Sequence, residues 1–100
     1  MAADYVVKKH ASFVFAFEDD EEKTYELPSA HSLSFDDTEF FLSVKEKDMR
    51  AQCEGIKAFV QKYNPELKDR DVGDMEYIYI LRAYLASQGQ PRKAYYSPRG

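Results

Sequence analysis

The chain alternates apolar and polar positions first, and then changes period. Phe13-Val14-Phe15-Ala16-Phe17 puts three phenylalanines on one side of an extended segment and Val14 and Ala16 on the other, which is the two-residue period of a strand. The polar run Glu18-Asp19-Asp20-Glu21-Glu22-Lys23 follows and predicts a solvated loop. Thr24-Tyr25-Glu26-Leu27 resumes the alternation, with Tyr25 and Leu27 on one side, until Pro28 stops it. Two alternating runs across a short polar break predict a hairpin. An isolated hairpin is barely stable in water, so its phenylalanine face should pack on helices.

Beyond Ser34 the period lengthens. Asp36, Asp37 and Thr38 are candidate helix caps, and Phe40, Phe41 and Val44 then share a helical face. Phe40-Phe41-Leu42-Ser43-Val44 is also rich in strand formers. The acidic start and basic end suit a helix dipole and favour the helix. Asp48 is the next candidate cap, and Met49, Cys53, Ile56, Phe59, Val60 and Tyr63 recur at helical spacing, interrupted by Gly55,. Asn64-Pro65 should end this helix, because the residue before proline disfavours helical backbone. Glu66 to Gly73 reads as a charged connection pinned by Leu67 and Val72. The last helix should run from a cap at Asp74 to a stop at Gly89. Tyr77, Ile78, Leu81, Tyr84 and Leu85 lie on one face of it, and Met75, Tyr79 and Ala86 on another. A helix apolar nearly all round needs contact on more than one side, as a core helix or one shared with another subunit. The pattern predicts an α+β fold, with an N-terminal β-hairpin packed on a small bundle of about three α-helices. Residues 1–12 read as a loosely held arm, 13–89 as a single domain, and 90–100 as a flexible basic tail.

Composition narrows the function classes. One hundred residues, 44% apolar and 32% charged, suit one folded domain,. All fifteen aromatic residues are Phe or Tyr, and tyrosine suits half-buried positions and interfaces. A net charge of −4 counts against nucleic acid as the main partner,. No apolar run is long enough for a bilayer, so no membrane is expected. Met1-Ala2-Ala3-Asp4-Tyr5 lacks the basic and apolar regions of a secretory signal,. The lone Cys53 excludes an internal disulfide and fits a reducing cytoplasm,.

Candidate chemistry is sparse. His10 and His31 lie in irregular segments and no Cys or His pair has zinc spacing,. Cys53 sits on an apolar stripe, which reads as a buried core residue rather than a nucleophile. The glycines at 55, 73, 89 and 100 are scattered and form no phosphate loop,. The Glu18–Glu22 run lacks the alternating ligands and central glycine of a calcium loop. Glu39, Glu46 and Asp48 read as surface carboxylates rather than an acid/base pair. The expectation is therefore no enzyme, no cofactor and no metal. What remains is an interaction domain. Its candidate partner-binding residues are Met75, Tyr77, Ile78, Tyr79, Leu81, Tyr84 and Leu85 on the last helix, with Phe59 and Tyr63 on the preceding one. Together they would present an aromatic groove to a partner helix or a neighbouring copy. Arg92, Lys93, Tyr95, Tyr96 and Arg99 oppose the acidic hairpin in charge and resemble a short docking segment, or else a tail without function. The competing class is a small regulatory or adaptor domain that binds a peptide at its hairpin edge.

The order of elements carries a resemblance. A short hairpin leaving through Lys23-Thr24-Tyr25-Glu26-Leu27-Pro28 leads into a helical remainder through Ala58-Phe59-Val60-Gln61-Lys62-Tyr63, closing with Leu85-Ala86-Ser87-Gln88-Gly89. Over roughly residues 13–89 this resembles the small tail assembly chaperones of long-tailed bacteriophages and prophages. The resemblance implies a non-enzymatic factor in the bacterial host cytoplasm. It would coat the tape measure protein while tail tube protein subunits polymerise around it, with self-association along that client. Some members of the family are extended by a programmed frameshift near the C-terminus. The length of chain after Gly89 and the tyrosine density depart from the family pattern.

Overall fold

The hairpin forms where the alternation predicts it. In a computed structural model that describes residues 3–7 and 9–88, β1 spans Phe13–Phe17 and β2 spans Asp20–Leu27, paired antiparallel. Three helices follow: α1 at Phe35–Ser43, α2 at Met49–Tyr63 and α3 at Asp74–Gln88. Short 3-10 turns at Ala30–Ser32, Val44–Glu46 and Pro65–Asp69 fill the connections. The fold is α+β, as the change of period implies,.

The acidic run is a loop only at its start, not over its whole length as its polarity predicts. The chain reverses at Glu18-Asp19, and Asp20 to Lys23 already belong to β2. Phe13 faces Leu27, Phe15 faces Tyr25 and Ala16 faces Thr24, after which the register shifts and Phe17 faces Asp20. The extra residues of β2 are taken up as an irregularity, which bends a strand without ending it. Arg70 holds the turn down. Its guanidinium lies 2.5 Å from the Asp19 carboxylate and 4.3 Å from the centre of the Phe17 ring. Phe13, Phe15 and Phe17 pack half-buried against the core, while Val14 on the other face is exposed.

The segment from Phe40 to Ser43 is helix, and Val44 is buried in the 3-10 turn that follows. Its cap is Ser34, upstream of the expected carboxylates. The Ser34 hydroxyl accepts the Asp37 N–H at 3.2 Å, which leaves Asp36 and Asp37 in the first turn against the positive end of the dipole,. α2 has the bounds its spacing predicts, with the Asp48 carboxylate accepting from the Ala51 N–H at 2.8 Å. Gly55 has a reason the sequence did not show. A Cβ there would lie 2.0 Å from the Phe40 ring, so α1 rests directly on the α2 backbone. α3 is capped one residue earlier than expected. The Gly73 carbonyl accepts from the Tyr77 N–H at 3.1 Å, and the Gly73 N–H donates to the Glu76 carboxylate at 2.7 Å. Glu76 thus closes the box from the third helical position, and Asp74 is the first helical residue. The stop expected at Gly89 and the tail at 90–100 lie outside the described residues, as does Lys8 of the arm.

One core joins the elements. Tyr25 and Leu27 enter it from β2, Cys53, Ile56, Phe59 and Val60 from α2, Leu67 from the third 3-10 turn, and Tyr77, Ile78, Ile80, Leu81 and Tyr84 from α3. Leu67 is buried and Val72 half-buried, so the charged connection is pinned at both ends as expected. Tyr84 is the common neighbour. Its ring centre lies 5.6 Å from Phe13, 5.1 Å from Phe41 and 5.6 Å from Phe59, and its hydroxyl donates to the Pro28 carbonyl at 2.7 Å.

Candidate interaction surface

The outer face of α3 follows from how its inner face is used. Of the nine candidate partner-binding residues, Tyr77, Ile78, Leu81, Tyr84 and Phe59 are each less than 5% exposed. They face the domain's own interior, because α3 packs against α2 on one side and β1 on another. A side chain enclosed in this way offers nothing to a partner without unfolding the domain. Leu85 is half-buried against the same core. Met75, Tyr79 and Tyr63 remain, at 42%, 58% and 39% exposure. Phe35 and Leu42 on α1 are more open still, at 89% and 81%, and nothing in their spacing singled them out.

Several grooves flank α3, one of them against α1 at Leu33, Phe41, Leu42 and Leu85. Of the two beside its exposed residues Met75 and Tyr79, the first lies between the N-terminal halves of α3 and α2, with a volume near 460 Å³. Met49 and Met75 face each other across it, Cys53 and Ile78 form its floor, and Arg50, Glu54, Lys57 and Asp74 line its rim. It is a methionine groove rather than the aromatic one expected. Cys53 is buried and its thiol donates to the Asp74 carbonyl at 3.6 Å. Burial, and then the nearby Asp74 charge, push that thiol up from its ordinary value, the opposite of an activated nucleophile,. The second groove, near 280 Å³, lies between β1 and α3. Phe13, Phe15 and Phe17 form one wall, Tyr79, Ile80 and Ala83 the other, and Glu18 and Glu76 stand at one end.

The two edges of the sheet differ. The Asn64 side chain caps the outer edge of β2 at Glu26. Its carbonyl oxygen accepts the Glu26 N–H at 3.3 Å, and its amide donates to the Glu26 carbonyl at 3.0 Å and the Val60 carbonyl at 3.2 Å. A buried asparagine thereby stands in for a neighbouring strand. β1 has no third strand beside it, and no hydrogen bond reaches its outer edge among the described residues. The sequence marked Asn64 only as a helix end before proline. The available signal was an amide side chain on a segment returning toward the hairpin.

Other candidate groups are dispersed. His10 and His31 are exposed, with stacked rings 3.8 Å apart. Among the described residues no group of three His, Cys, Asp or Glu side chains is placed to hold a metal, and no helix is long and apolar enough to cross a membrane. Comparison with protein-family models, with curated proteins and with solved structures finds no match to this chain.

Proposed function

We propose that the chain is a non-enzymatic assembly chaperone of the tail-assembly kind. It would hold an apolar helix of a client such as a tape measure protein in the groove between α2 and α3. The observation that carries this reading is the pair Met49 and Met75, 51% and 42% exposed on opposite sides of a groove floored by Cys53 and Ile78. Unbranched, polarisable methionine side chains adapt to differing partner surfaces, and a groove between two helices suits an amphipathic helix. Arg50 and Lys57 with Glu54 and Asp74 give the rim both signs of charge, which sets register more than affinity. A net charge of −4 helps keep such a surface in solution,. On this reading the protein works in the bacterial host cytoplasm, with further copies lining up along the client as tail tube protein assembles.

The test is co-expression with the tape measure protein and affinity retention. Met49→Glu with Met75→Glu should abolish retention and leave the circular dichroism unchanged, since both side chains are exposed. Undiminished retention by that double variant sinks the groove reading. A second reading, an adaptor domain binding a peptide at its hairpin edge, is favoured by the unpaired outer edge of β1,. It predicts the opposite selectivity, with binding lost in Val14→Pro and kept in the methionine variant.

A further inference from the structure

We propose that Met49, Cys53 and Met75 form a three-sulfur site for one copper(I) ion in the groove between α2 and α3. The assignment rests on where the sulfur-bearing side chains lie and needs no client, so failure of the retention experiment above leaves it standing.

The distribution of sulfur comes first. The chain holds one cysteine and three methionines, and beyond Met1 these are Cys53, Met49 and Met75. All three line the same groove, two from α2 and one from α3. Met49 and Cys53 stand four residues apart on α2, which makes them neighbours on one face with Cβ atoms about 5–6 Å apart,. The Cys53 thiol reaches across to α3 and donates to the Asp74 carbonyl at 3.6 Å. Met75 is the next residue along that helix. The three side chains therefore start close together, although they come from separate parts of the chain.

The members differ in freedom. Cys53 is fixed in the floor at 8% exposure, whereas Met49 and Met75 stand half-open on either side. Each thioether swings on three rotatable bonds, so both can turn inward onto a cation held at the thiol. Their exposure also leaves the ion a path in from solvent, which a metal site requires.

Ligand chemistry selects the ion. Thiolate and thioether sulfur are soft ligands and match copper(I). Structural zinc takes four ligands from thiolate, imidazole and carboxylate, and the two histidines stack on each other without lining this groove. Charge agrees. One thiolate neutralises one monovalent cation, and two thioethers add nothing, so the centre is neutral. A divalent ion would leave a charge uncompensated in a partly buried place. The rim adds no net charge either, with Arg50 and Lys57 set against Glu54 and Asp74. Binding is a substitution at sulfur. The Cys53 S–H bond breaks, its electron pair forms the S–Cu bond, and the proton leaves to solvent while copper stays in the +1 state. The thiol disfavours a bare thiolate, but here a soft cation takes the place of the proton.

Anaerobic titration of the full chain with copper(I), in competition with a chromogenic copper(I) chelator, tests this. One ion per chain should bind with release of one proton, and the methyl resonances of both Met49 and Met75 should move. Met49→Leu and Met75→Leu keep size and apolarity. Each should weaken binding at least about tenfold, since losing a ligand costs no less than losing an outer partner. Circular dichroism should stay the same. Leucine also leaves both sides of the groove apolar, so these variants should still retain a client if the groove holds one. Undiminished copper(I) affinity in the double leucine variant overturns the proposal, because Cys53 then acts alone. Methyl resonances that stay in place, or one ion shared between two chains, overturn it as well.

Discussion

Tyr84 shows how much one side chain can join. It touches a ring from β1, one from α1 and one from α2, and ties its hydroxyl to the Pro28 carbonyl where the hairpin ends. Burial pushes its phenol up to about 12 from an ordinary 10. The folded state thus favours the neutral phenol. That contribution is complete below pH 10 and is lost as pH rises from 10 through 12, an effect on the order of 2 kcal/mol. Tyr84→Phe should cost about 1 kcal/mol at pH 7 through the missing hydrogen bond. It should also flatten the fall of stability above pH 10. Urea titrations of both proteins at pH 7, 10 and 11 read the two effects separately.

At the scale of elements, α1 and α2 meet through an absence, the missing side chain of Gly55. Alanine there should gain about 1 kcal/mol in helix propensity. Its methyl, however, would lie within 3 Å of the Phe40 ring, which is packed 5.0 Å from Phe41. Gly55→Ala should therefore destabilise the protein by about 1–2 kcal/mol, and the sign should reverse in a Phe40→Ala background. A double-mutant cycle in urea measures that coupling.

Such crossings explain what the sequence could and could not tell. β1 and α2 were legible because period, cap and stop agreed within one short segment: three alternating phenylalanines, or Asp48 and Asn64-Pro65 around an apolar stripe. The acidic turn is tighter than its polarity predicts because Arg70, more than fifty residues away, holds Asp19 and covers Phe17. The Asp74 cap was displaced by a backbone-to-Glu76 bond for which Gly73 gave no hydrophobic signal. Periodicity rightly gave α3 two apolar faces, yet could not say which would be covered. Met75 and Tyr79 stayed outside, while Tyr77 and Ile78 beside them went in.

The whole molecule depends on the hairpin as much as on the helices. Tyr25 and Leu27 are 6% and 0% exposed, and the three phenylalanines of β1 lie over the same core. Burying two such side chains contributes about 3–6 kcal/mol, comparable with the whole stability of a small domain. The helical portion 30–88 on its own should keep some helical circular dichroism but lose its cooperative urea transition. A sharp transition in that fragment would show that the hairpin is an appendage.

The contrast between the sheet's two flanks has a consequence for growth. A copy that received a strand at β1 would still present Asn64 at its other flank, where the backbone groups of Glu26 are already taken. A ladder continuing on that side would have to displace the asparagine or pair short of it. One side chain thus makes the two flanks unequal as points of growth.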